Sequence, residues 1–141
     1  MKAHTDALVA LTQQIPALAT KTFVAIAKFP TGTEESKKYP YVVYFPAAGT
    51  DSAERMTGPA VTQHPRWTRH TVGQSYAQVA DTEADIHAKL VPNGRGVVLE
   101  VAGQVCGPMW DESPIPIQVD NDVTPPLVYA VSECGFDSDP A

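Results

Sequence analysis

The sequence predicts an α+β domain spanning 1–141, in which a mixed or antiparallel sheet carries two helices packed on one face. Three observations lead there. An apolar stripe at helical spacing opens the chain, and a second follows a helix-capping signature at Ser75. The runs between and after them are short, β-rich and punctuated by proline, of which there are 13. A chain of 141 residues, 43% hydrophobic and 18% charged, suits a single ordinary globular domain that needs no staples to bury a core.

Leu8, Leu11, Ile15 and Leu18 recur at spacings of three and four, which predicts a helix over 3–15 ended by Pro16. Phe23 to Ala27 is short, apolar and β-rich, a first strand; the polar, turn-rich residues 30–38 then form an exposed loop. Tyr41-Val42-Val43-Tyr44-Phe45 is the best strand, every residue β-branched or aromatic between Pro40 and Pro46. Its lack of alternation predicts cover on both faces, or on one face plus a partner subunit. Residues 47–64 have no period and read as a long loop between strands 2 and 3, an interaction surface.

Trp67 to Val72 resumes a strand. Ser75-Tyr76-Ala77-Gln78 matches a capping box, and the helix behind it carries Tyr76, Val79, Ile86 and Leu90 on one face, with Asp81, Asp85 and Lys89 off it. Pro92-Asn93-Gly94 stops it. Gly96 to Val101 reads as a fourth strand, and Cys106-Gly107-Pro108 breaks the next extended piece. Residues 114–119 alternate, but their prolines confine them to an edge. Leu127 to Glu133 is the last strand before an acidic flexible tail at 136–141.

Ten basic against sixteen acidic residues give a net charge of −6, and no basic cluster exceeds Lys37-Lys38. Tight nucleic-acid binding draws its strength from cations on phosphates, so a protein that grips DNA is excluded while a wall that DNA slides past is not. Cys106 and Cys134 lie outside any C-x-x-C pattern, and free thiols in a cytoplasmic setting are expected. The longest apolar runs, Ala7–Leu11 and Phe23–Ala27, fall far short of a membrane span, and the first residues lead into no signal-peptide core.

The residues that carry chemistry are scattered. His4, His64, His70, His87, Cys106 and Cys134 show no zinc-like spacing, and Asp120-Asn121-Asp122 lacks the glycine and closing glutamate of a calcium loop. There is no G-x-S-x-G elbow and no phosphate-binding glycine loop. The carboxylates Asp81, Glu83, Asp85, Asp111 and Glu112 read as a solvated exterior rather than an acid–base pair. Trp67, Tyr76 and Trp110 lack basic partners for stacking on nucleotides and read as core or interface packing. Arg55, Arg66 and Arg69 either bridge to a neighbouring subunit's acids or keep the loop soluble. The reading is thus of a non-enzyme with no catalytic, cofactor-binding or metal residues.

The order of segments carries more than any one of them. Pro40 to Pro46 is followed by Ala48-Gly49-Thr50 and by Ser52 to Gly58. Thr71-Val72-Gly73-Gln74-Ser75 opens the helix through Ala80 and Ile86 to Leu90. Cys106-Gly107-Pro108 leads to Glu112-Ser113, and Asp120-Asn121-Asp122-Val123 precedes Pro125 to Val131. This succession resembles the tail terminator proteins of long-tailed, siphovirus-type bacteriophages, particularly those of actinobacteria, over nearly the whole chain. It departs from their pattern at Trp67-Thr68-Arg69-His70, which is more polar.

The resemblance implies a virion protein assembled in the host bacterial cytoplasm. It would form a homohexameric ring at the head-proximal end of the tail tube, ending polymerisation of the major tail tube protein. Its other face would dock the head-completion (stopper) protein of the neck, with genomic DNA passing through the lumen unbound and no membrane involved. With the 47–66 loop as the principal contact, the expected ring-interface residues are Thr50, Asp51, Glu54, Arg55, Met56, Arg66, Trp67 and Arg69. A different neck protein for head closure, and a small ligand-binding or enzymatic domain with Tyr44, Trp67 and Trp110 lining a pocket, stay open as alternatives.

Overall fold

A computed structural model describes residues 2–52 and 62–141, and of 48–52 the backbone alone. Helix α1 (Lys2–Thr12) is shorter than the predicted 3–15. Pro16 keeps Ile15 extended (φ −76°, ψ 118°) and opens a separate 3₁₀ turn, Pro16–Leu18, which brings Ile15 and Leu18 to the core by another route. Strand β1 (Thr22–Val24) stops before the predicted Ala27, because Ala25 turns into the left-handed region (φ 64°) and leaves Ile26 65% exposed.

Strands β2 (Tyr41–Ser52) and β3 (Thr62–Gly73) form a long antiparallel hairpin, paired from Tyr41 opposite Val72 to Ser52 opposite Thr62. A shift between Ala47 and Thr50 marks a bulge. The expected loop 47–64 is therefore strand at both ends, and 53–61 lies outside the described residues. Ladder pairing runs through the backbone, so the absence of an apolar period in 47–52 did not prevent it.

Helix α2 (Tyr76–Leu90) starts where the capping signature put it: the Gln78 amide donates to Ser75 Oγ at 3.2 Å. The Gln78 side chain reaches one residue further than a capping box requires, accepting from the Gln74 amide at 2.8 Å. Val79, Ile86 and Leu90 are buried as expected, but Tyr76 is not; it sits in the first turn, where side chains point back past the helix start.

The predicted strand Gly96–Val101 is not one. The segment crosses the core as irregular chain, with Val97 bonded to Leu90 O and to the Met109 amide and a single bridge from Val98 to Pro108. Gly96 permits this, since a Cβ there would stand 1.8 Å from Met109 O.

The remaining strands are β4 (Gln104–Cys106), β5 (Trp110–Glu112), β6 (Gln118–Asp120), β7 (Leu127–Gly135) and β8 (Ser138–Pro140). β6 is an edge strand, and it begins after Pro114 and Pro116. In place of the expected flexible tail the C-terminus is built into the sheet: Phe136 is buried, and β8 pairs with both β4 and the start of β3. Alternation explains it, because Phe136 and Ser138 turn inward while Asp137 and Asp139 meet solvent or its margin.

All eight strands make one mixed sheet, with order β1-β2-β3-β7-β5, β6 also on β7, and β8 between β3 and β4. Among the described residues only β1–β2 is parallel. The main core joins Leu8 and Leu18 with Ile86 and Leu90 over Val42, Tyr44 and Trp67, so both helices cover one face, as predicted.

Candidate functional site

Strand β3 decides what each face offers. Its side chains alternate, sending Trp67, Arg69 and Thr71 under the helices and Arg66, Thr68, His70 and Val72 to the opposite face. The Trp67 ring lies 5.4 Å from that of Phe136, and its Nε1 donates to Thr5 Oγ1 at 3.0 Å. Next to it the Tyr44 hydroxyl is bonded to Thr12 Oγ1 at 2.8 Å, which ties α1 to β2.

Arg69 is completely buried and is surrounded by its own partners. Its Nε and Nη2 fork onto Glu83 of α2 at 3.2 and 2.8 Å, and Nη1 and Nη2 reach Asp111 of β5 at 2.9 and 3.4 Å. Glu83 also accepts from the hydroxyls of Thr71 and of Ser132, the latter at 2.6 Å, while His87 Nδ1 meets Asp111 Oδ2 at 2.8 Å. Burial alone would lower the Arg69 pKa, but the Glu83 hydrogen bond and nearby negative charge outweigh it and hold the guanidinium charged. Burial likewise works against the Glu83 carboxylate, and Arg69 overcomes it, so its pKa lies below normal. With each nitrogen already bonded to carboxylate, this arginine ties α2, β3 and β5 together and is not exposed to another molecule.

This corrects two of the expected interface positions. Trp67 and Arg69 are core residues, because strand alternation points them inward while Arg66 points out. Arg66 is exposed, its guanidinium 5.4 Å from the Trp110 ring centre. Thr50 and Asp51 lie in β2 opposite His64 and Gln63, and Glu54, Arg55 and Met56 lie outside the described residues. Glu83 and Asp111, read as solvated acids, are the largely buried partners of Arg69. The signal for Glu83 was present: it stands four residues after Val79 and three before Ile86, on the apolar stripe of α2.

The other face of the sheet is open. A groove of about 720 Å³ crosses it, walled by Tyr41, His70, Val72 and Tyr129, with Val119, Asp120 and Asp122 at its β6 end. Phe23, Phe29 and Tyr41 pack edge-to-face at its β1 end, with centroids 5.0 to 6.3 Å apart. Beside them burial, then the bond to Glu35, pushes the Tyr39 hydroxyl up to about 12. Among the described residues no group of three or more His, Cys, Asp or Glu is placed to hold a metal ion, and no helix is long and apolar enough to cross a membrane. Cys106 and Cys134 are free thiols.

No protein-family model matches this sequence, and no curated protein does. Among solved structures, a chain in the virion of a native gene transfer agent particle is 14% identical, with a TM-score of 0.48 over 92% of this chain and 84% of that one. Another, which bears no functional description, is 14% identical, with a TM-score of 0.53 over 96% of this chain and 91% of that one. At that identity the second likeness concerns the fold alone: the same overall path recurs in a chain of nearly equal length.

Proposed function

We propose that this chain is a structural virion protein that builds a hexameric ring at the head-proximal end of a phage tail tube. There it ends tube polymerisation and joins the tail to the head-completion complex, and the genome passes through the lumen. The observation that carries this reading is where the four resembling segments lie in the fold. The first forms β2, the second forms the end of β3 and α2, the third runs from the end of β4 to β5, and the fourth runs from the last residue of β6 into β7. Segments that are each weak in sequence thus occupy neighbouring parts of one sheet, as parts of a shared fold do.

Two physical features support assembly as the task. The sheet ends in short edge strands that expose apolar side chains, Val24 on β1 and Val119 on β6, and such edges are either blocked or covered by a partner. The net charge of −6 suits a pore wall that must not retain DNA. The partners would be copies of itself, the major tail tube protein and a head-completion protein.

The test is to remove the gene from its phage and image the particles by electron microscopy. Tails of uncontrolled length, unattached to filled heads and restored by supplying the chain in trans, are expected. Normal-length tails left unjoined would assign it to head closure instead, and infectious particles without it would sink the proposal.

A further inference from the structure

The two ends of the sheet differ in charge, in a way the overall balance conceals. Residues 96–141 contain no Lys, Arg or His and eight of the sixteen acidic residues, a net −8; residues 1–95 hold all ten Lys and Arg and the other eight acids, a net +2, and the two add to −6. The fold sends these parts to opposite borders. Among the described residues β1 pairs only with β2, and β6 only with β7, so each is an outermost strand there.

Each border also leaves apolar surface uncovered beside a charge. At the β1 end Val24 is 42% and Ile26 65% exposed, followed by exposed Lys28. At the β6 end Val119 is 54% exposed, followed by Asp120 and Asp122. Among the described residues none of these three charges has an ion-pair partner, although Asp120 Oδ1 accepts the Asp122 amide at 3.0 Å.

We infer that the β1 border of one copy binds the β6 border of the next, Val24 and Ile26 meeting Val119 while Lys28 meets Asp120 and Asp122. This inference rests on the ring reading and names its contact. Patches that differ and complement each other make a heterologous contact, which repeats from copy to copy and closes a ring when the rotation between copies divides a full turn, whereas a self-complementary patch would stop at a pair. The apolar residues supply affinity and the opposed charges set register and partner choice.

Sedimentation velocity on the full chain tests this, with circular dichroism to verify folding of each variant. The wild-type chain is expected to associate with rising concentration. Lys28→Glu and Asp122→Lys should each weaken that association by about tenfold or more, through like charges brought together. Mixing the two single variants should restore it, since the carboxylate introduced at position 28 of one copy then faces the ammonium introduced at position 122 of another. The double variant should associate alone. A monomer at every concentration, association indifferent to either substitution, or a mixture that fails to recover would each overturn the inference. Phage whose tails keep normal length and still join heads when the chain carries Lys28→Glu would remove this contact while leaving the ring reading, which stands or falls with the gene-removal experiment.

Discussion

On the helix side of β3 stand Trp67, Arg69 and Thr71, all essentially without solvent; on the other side, one residue away each time, stand Arg66, Thr68, His70 and Val72, each at least partly open. Two arginines three residues apart therefore live under different physics. Arg69 loses its hydration and is held charged by two carboxylates and the hydroxyls behind them, so it can be neither moved nor shared. Arg66 keeps water and one aromatic neighbour. The difference separates what builds the subunit from what is left for contact: polar residues inside are committed to internal bonds, while the open face and its borders hold apolar surface with free charges.

The sharpest way to break that contrast is to remove the buried arginine. Arg69→Ala leaves Glu83 and Asp111 buried without their cation, and the expected loss is about 3–5 kcal/mol, enough to threaten folding. Urea denaturation followed by circular dichroism measures it. Adding Glu83→Gln to Arg69→Met should recover part of the loss, because the stranded charge goes with the cation. A loss under about 1 kcal/mol for Arg69→Ala would mean the cluster is hydrated and the two faces are less different than they look.

How far the sequence announces this contrast depends on which bonds make each element. The two helices, the β2 core and the edge position of β6 follow from local patterns, because stripes, caps and prolines act within a few residues. The strand extensions into 47–52 and 62–66 do not, since they are made by backbone pairing across the hairpin with polar side chains. Nor does the inward turn of the C-terminus, where acidic residues at every second position mask the buried Phe136 and Ser138. Arg69 was the polar departure at Trp67–His70 from the resembling family. Period two on β3 fixes its direction, yet only the fold brings Asp111, forty-two residues on, to meet it.

Acid should probe a second buried polar site on the same side, with a smaller effect. Ser138 Oγ donates to Gln104 Oε1 at 2.9 Å, so His4 Nε2 must donate to Ser138, leaving Nδ1 bare and buried without a partner among the described residues. Burial holds the His4 pKa below 6.5, and His70 shifts the same way for the same reason. A depressed folded pKa means the unfolded chain binds more protons, so this stability is full above about pH 6.5 and falls as pH drops below it. The urea midpoint should decline from pH 7 to 5, and decline less in His4→Gln. Glu83, whose folded pKa is also depressed, adds its own loss only below about pH 4.5. An unchanged slope in His4→Gln would show that His4 titrates as it would in water.

The smallest expected effect completes the comparison from the exposed side. Arg66→Ala removes a solvated cation from the Trp110 ring, an interaction worth about 0.5–1 kcal/mol at exposed sites, and strands no buried charge. The same urea titration should therefore show a shift several times smaller than Arg69→Ala, with an unchanged denaturant slope because the core is untouched. The difference between the two arginines is the informative quantity, since it cancels whatever both substitutions share in the unfolded chain. Equal costs would mean that Arg66 is as deeply engaged as Arg69, and the outward face of β3 would then belong to the subunit's own packing.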